Sequence, residues 1–216
     1  MSKKFILSCE STADLPHTYI DQNNIQILMC KKDLEGTAYY RDYFRSLLEQ
    51  GNVLHIAFGT SVSELSSPVM KAALAVRDEY PERKLIITDS VRSASGYKML
   101  VEIAVDLRGC GESAEDAAKW ISNLRPKVHS HLWNAEPSEA SVKSAICEMA
   151  DCLDGDYSYS GKCCVSHIHA PAQAEAVRAC VERTFPNLKG KVQINEFLKL
   201  SYAGAPASGV ALCYMG

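Results

Sequence analysis

The sequence predicts an α/β protein built as two lobes. Three observations predict it. Short apolar runs alternate with longer stretches in which apolar residues recur at helical spacing. Hydroxyl-rich segments follow several of the apolar runs, where helices would begin. After Trp133 a polar, proline-containing joint, NAEPSEA, precedes a fresh round of the same alternation.

The elements follow in order. KFILSC (3–8) is a compact apolar strand, and Ser11 or Thr12 in the STADLP that follows is able to cap a short helix. IQILMC (25–30) is a second strand, and YFRSLLEQG is a short helix closed by Gly51. VLHIAF (53–58) is a third strand. Residues 64–79 then carry Leu65, Val69, Ala72, Ala73 and Val76 on one helical face. KLIITD (84–89) is a fourth strand, before a helix over 93–107 with Met99, Leu100, Ile103 and Leu107 on one side. ESAEDAAKWISNL opens on Ser113 with a carboxylate three residues on, close to a capping box. KVHSHLW (127–133) is a fifth strand, placed in the first lobe, so the lobes run 1–133 and 134–216. In the second, 138–153 is a helix, KCCVSHI (162–168) a strand, and 171–184 a helix with Pro171 in its first turn. KVQINEFL and GVALCYM are the last strands. Strands alternating with helices imply parallel pairing, and ligands of such sheets sit outside the carboxyl ends of the strands.

Composition narrows the function. The chain has 216 residues, 47% hydrophobic and 23% charged, with a formal charge of −3. That suits a soluble protein with a sizeable core and gives no basic footprint for nucleic acid or an anionic membrane. No segment approaches the roughly 20 apolar residues of a membrane helix. The apolar run near the start is too short for a signal peptide. Nine cysteines, an odd number with no C-x-x-C pair, predict a reducing, cytoplasmic setting rather than a disulfide frame or zinc site.

Three segments carry the chemistry: CESTADLP (9–16), GTSVS (59–63) and DSVRSASGY (89–97). Each follows an apolar strand and offers hydroxyls and backbone N–H groups at a helix start, which stabilise an anion. Plain helix capping explains the same residues. Phosphate-binding glycine motifs are missing. GTSVS approaches the G-x-S-x-G nucleophile elbow, and Ser61, Asp89 and a later histidine stand in hydrolase order, so a serine hydrolase with Ser61 as nucleophile is the rival reading. Ser63 in place of the second glycine weighs against it, because that glycine lets strand and helix approach closely. Two H-x-H pairs, His129/His131 and His167/His169, would each share a strand face. No third ligand is fixed by spacing, so no metal is predicted.

KFILSCESTADLP, GTAYYRD, HIAFGTSVSELSSPVMKAALA, KLIITDSVRSASGYKMLV and the terminal GAPASGVALCY, in that order, resemble the DegV family of bacterial fatty-acid-binding proteins. The resemblance implies two α/β lobes with a lipid-binding cleft between them and a long-chain fatty acid as ligand. It implies no cofactor and no catalysis, and presentation of the acid to a fatty acid kinase. It places the carboxylate at Ser61, beside Thr60, with Ser93, Ala94 and Ser95 as pocket wall. VSHIHAPAQAEAV resembles the family's strand–His–helix turn, with His167 at the matching position.

The chain departs from the family at three places. The Thr-Ser-x-Pro-Ser segment, whose threonine also meets the carboxylate, has no counterpart in YYRDYFRSLLEQGNVLHIAF. The Gly-Gly-Arg stretch and pocket-covering hairpin have none after VHSHLW, where NAEPSEASVK follows directly. A C-terminal histidine of the family aligns with Tyr202, which is therefore included in the site. A shortened, altered member and a sequence lacking those segments both fit.

Overall fold

The computed structural model describes residues 5–13, 15–29, 37–58, 68–90, 94–133, 137–168, 170–196 and 209–215. The chain falls into two compact units, one of residues 1–93 and 97–125, the other of 126–216 with 94–96.

The first unit is built on β1 (Ile6–Glu10), β2 (Gln26–Leu28), β3 (Val53–Ala57) and β4 (Leu85–Asp89), in the order β2-β1-β3-β4. Every pairing is parallel, with registers such as Ser8↔His55 and Val53↔Leu85. Between the strands run α1 (His17–Gln22), α2 (Thr37–Leu48) and α3 (Pro68–Arg77), and after β4 come α4 (Ala94–Gly109) and α5 (Ala114–Leu124). β3 is buried at every position, as a central parallel strand covered on both faces must be. One core cluster joins Phe44, Leu47 and Leu48 of α2 to Val69, Ala73 and Val76 of α3 over Val53 and Leu85. Each of the phenylalanine, leucine and valine side chains among them contributes about 1.5–3 kcal/mol by leaving water.

Local signals set several helix ends. The Ser113 hydroxyl accepts from Asp116 N at 3.1 Å and donates to the Asp116 carboxylate at 2.6 Å, so the expected cap is present. α4 closes through Gly111 at φ 89°, with Glu112 N donating to Leu107 O at 3.1 Å. That left-handed position is open to glycine at no steric cost. Gly51 N donates to Leu47 O at 3.1 Å beyond α2. Ser11 and Thr12 do not cap a helix as expected. They lie in a short 3-10 turn, and α1 starts later, after Pro16, with no side-chain cap.

The second unit holds β5 (Val128–Trp133), α6 (Glu139–Cys152), β6 (Cys163–Ile168), α7 (Pro171–Thr184), β7 (Gln193–Glu196) and β8 (Gly209–Met215). Its sheet runs β5-β8-β6-β7 and is mixed: β6 and β7 are parallel, while β8 is antiparallel to β5 and β6. The expectation of parallel pairing therefore holds throughout the first sheet and, in the second, only for β6 and β7. β5 also differs from the sequence reading, which placed it in the first lobe. α5 packs on β3 and β4, so the chain leaves the first sheet there. β5 then pairs with the distant β8 over six residues. A period of two marks a strand but not its sheet. The second core gathers Val142, Ile146 and Met149 of α6, Val177 and Val181 of α7, Val165, Phe185 and Tyr214.

Among the described residues no helix is long and apolar enough to cross a membrane.

Candidate functional site

In the first sheet the chain moves outward from β1 to β2 on one side and from β3 to β4 on the other. The gap between β1 and β3 is thus a topological switch point, where the crossovers diverge and an open parallel sheet offers a crevice at its carboxyl edge. Of the three hydroxyl-rich segments, CESTADLP leaves the sheet there at the end of β1, and β3 ends there at Ala57, two residues before GTSVS in the sequence. The third leaves from β4 alongside.

The described residues at this edge form a buried polar layer. Glu10, Thr12, Ser90 and Tyr97 are all buried. The Tyr97 hydroxyl, reaching in from α4, donates to Ile56 O at 2.5 Å and accepts from Glu10 N at 2.8 Å. The Glu10 carboxylate accepts from Phe58 N at 3.2 Å. Ser90 N donates to Ala57 O at 2.9 Å, and the Arg125 guanidinium donates to Asp89 O at 3.2 Å. Thr12 Oγ1 is buried with no hydrogen-bond partner among the described residues. Buried polar groups are costly unless paired, so a polar layer at the one edge where parallel sheets bind ligands is informative.

A second polar group lies one layer deeper on the same seam. Ser8 Oγ is 2.7 Å from Tyr43 Oη and 2.8 Å from His55 Nδ1. His55 is fully buried, and the edge of its ring faces Phe44 at 5.2 Å between centroids. Burial holds its imidazole neutral, with the pKa down at about 3. Its Nε2 has no partner among the described residues. Burial likewise pushes the Tyr43 phenol upward, an effect the Ser8 bond opposes. The neighbourhood is therefore polar but uncharged at this level.

The expected site residues fall unevenly on the structure. Thr60, Ser61, Ser93 and Tyr202 lie outside the described residues. Ala94 and Ser95 open α4, and only their backbone is described. The histidines separate. His129 Nδ1 lies 3.8 Å from Cys152 Sγ, and His131 Nε2 lies 3.3 Å from a Glu148 carboxylate oxygen. Both rings stack with Tyr214. His167 is buried at the end of β6 and its Nδ1 accepts from Ala170 N at 3.4 Å, at the start of α7. Its H-x-H partner, His169, is outside the described residues. Among the described residues no group of three histidine, cysteine or acidic side chains is placed to hold a metal ion.

Sequence reasoning missed Glu10 and Tyr97. Both lie inside segments it had singled out, but for hydroxyls and N–H groups rather than for an acid and a phenol. The described concavities lie elsewhere. One of about 460 Å³ in the first unit is lined by Phe5, Asn23 and Arg108, at the amino end of β1. One of about 240 Å³ in the second unit lies between α6 and α7.

Comparison with known proteins bears on the family and the fold. Residues 36–135 match the family described as uncharacterised protein, DegV family. A DegV domain-containing protein of Lactococcus lactis, YteA, is 31% identical over 80 residues, which is 37% of this chain and 28% of that protein's length. A stearic acid-binding protein from Eubacterium ventriosum superposes with a TM-score of 0.71 over 97% of this chain and 98% of its own, at 14% identity. DegV of Bacillus subtilis, described as a fatty acid binding protein, superposes with a TM-score of 0.71 over 99% of both chains, at 13% identity. The resemblance to the DegV family read from the sequence stands, and the fold is the one those proteins share.

Proposed function

We propose that this chain, with its DegV family match and DegV fold, binds a long-chain fatty acid and carries out no catalytic step on it. The carboxylate would meet the Ser61 hydroxyl and the N–H groups of its turn, beside Thr60, with Ser93, Ala94, Ser95 and Tyr202 completing the surroundings. The observation that carries the reading is the β1/β3 switch point, whose buried polar edge reaches Phe58, the residue before 59–63 in the sequence. The fatty acids named for proteins of the same fold support the ligand class. Hydroxyls and helix-start N–H groups suit a carboxylate. The acyl chain would supply affinity, at about 0.8 kcal/mol per buried methylene, and the head group would set orientation. Presentation of that head group to a fatty acid kinase in the cytoplasm completes the reading.

Native mass spectrometry of the purified protein tests it. A co-purified or added fatty acid at one per chain is expected, and Ser61→Ala should weaken its affinity, read by titration, about tenfold or more, the size of one hydrogen bond to a charged group. No binding of any long-chain acid overturns the function, and an unchanged affinity in Ser61→Ala overturns the role of that serine. A fluorophosphonate probe should leave the protein unlabelled, whereas labelling at Ser61 would favour the hydrolase.

A further inference from the structure

We infer that Tyr97 and Glu10 are positioning residues that fix the carboxyl end of β3 up to Phe58, the residue before the proposed ligand segment 59–63. For its ligand the inference rests on the fatty-acid reading; for its geometry it rests on the first unit alone.

The β1–β3 ladder runs from Ile6↔Val53 to Cys9↔Ile56. Just beyond it, one phenol oxygen stands between two strands, donating to Ile56 O at 2.5 Å and accepting from Glu10 N at 2.8 Å. In a parallel ladder N–H and C=O groups of neighbouring strands meet directly. Here a side chain from α4 satisfies both, so the seam stays tied where strand pairing has ended. The second tie follows two residues on, where the Glu10 carboxylate receives Phe58 N at 3.2 Å. The Phe58 ring also lies 6.3 Å from that of Tyr97. The last described residues before Gly59, the end of β3 and Phe58, are thus held at Ile56 O and at Phe58 N, from α4 and β1 respectively.

Filling space does not explain these groups. Tyr97 is fully buried, and phenylalanine would occupy nearly the same volume. Glu10 is 3% exposed, and a buried carboxylate costs more than an apolar side chain unless its hydrogen bonds have a use. The use consistent with the geometry is to fix the end of β3 up to Phe58. Binding groups must be held to about half an ångström to act together.

Three variants test this: Tyr97→Phe, Glu10→Leu and Glu10→Gln. Backbone hydrogen exchange is measured without ligand, and fatty-acid affinity at 25 °C, where urea titration shows each variant folded. Tyr97→Phe, which loses the bonds to Ile56 O and from Glu10 N, and Glu10→Leu, which loses the bond from Phe58 N, should each speed exchange at Phe58 and weaken binding by about tenfold or more, as expected for the loss of at least one buried hydrogen bond. Glu10→Gln keeps an oxygen acceptor for Phe58 N and should stay within about twofold of the parent in both readouts. Unchanged exchange at Phe58 in both Tyr97→Phe and Glu10→Leu overturns the inference, whether or not a fatty acid binds. Faster exchange with unchanged affinity also overturns it, because the ties would then serve stability alone. A parent protein that binds no long-chain acid overturns the fatty-acid reading, and the exchange measurement still decides the geometry.

Discussion

Lowering the pH from 7.5 to 4.5 should destabilise the first unit through one residue, His55. Its imidazole is fully buried, and its pKa falls from 6.5 to about 3, with burial as the cause. In the unfolded chain the same ring regains its ordinary value near 6.5. Below that pH the unfolded state takes up a proton that the folded state refuses. The stability present above pH 6.5 is therefore lost progressively as pH falls toward the folded value. The loss is about 1.4 kcal/mol per pH unit, so from 6.5 to 4.5 it amounts to about 2.7 kcal/mol. That is a large fraction of a typical domain's margin. His55→Leu isolates the effect, because other titrating groups act equally in both proteins. Near pH 7.5 the variant should differ little from the parent. It loses the contact with Ser8, which keeps Tyr43 as a partner, and it relieves the unpaired Nε2. Urea titrations at pH 7.5, 6.5, 5.5 and 4.5 should show the variant gaining on the parent by about 2.7 kcal/mol at the lowest pH. A gap that stays constant across this range would refute the reasoning. So would a His55 ring that titrates near 6.5 by NMR in the folded protein.

Three further outcomes are expected. Ser113→Ala removes the cap of α5 and should cost about 1 kcal/mol in urea titration, with no change in ligand affinity. Phe185→Ala empties a fully buried site packed by Tyr157 and Tyr159 and should cost about 3–5 kcal/mol, read by thermal and urea unfolding. Iodoacetamide followed by peptide mapping should label the exposed Cys110 and Cys147 in the native protein. Cys163 should react only after unfolding, because burial both shields its thiol and pushes its pKa up.

The frame of the fold was legible because its signals are local. Apolar runs marked the strands of the first sheet, helical spacing marked α3, and the serine–carboxylate pair at 113 and 116 marked the start of α5. The sheet that β5 joins was not legible, since β8 lies some eighty residues further on and its direction has no local signature. Ser11 and Thr12 have the right chemistry for a cap, yet Pro16 precedes the helix that forms. His129 and His131 do share a strand face, but their neighbours on α6, Cys152 and Glu148, separate their roles. Glu10 and Tyr97 were out of reach for a stronger reason. Their bonds join residues 48, 41 and 87 positions apart, and nothing in a single sequence announces that a glutamate at a strand end will be buried.

The seam between β1 and β3 ties these observations together. Ser8 and Glu10 point to the same side of β1, two residues apart, and the Ser8–His55 contact lies one layer below the Glu10–Phe58 contact. The strands outside this seam carry Ile27 and Leu28 in β2 and Leu85, Ile86 and Ile87 in β4, the apolar filling expected of parallel strands. A core selected for stability alone would continue those residues across the seam. It would avoid both the acid sensitivity of His55 and the desolvation of Glu10. Places where a sequence breaks its own local rule are where function is to be sought, and this break coincides with the switch point that sheet order identifies independently. The two lines of reasoning use different facts, side-chain polarity in one and chain connectivity in the other. Their agreement favours the β3 turn over the larger concavity at the amino end of β1. That concavity lies at the amino edge of the sheet, opposite the carboxyl edge where parallel sheets hold their ligands.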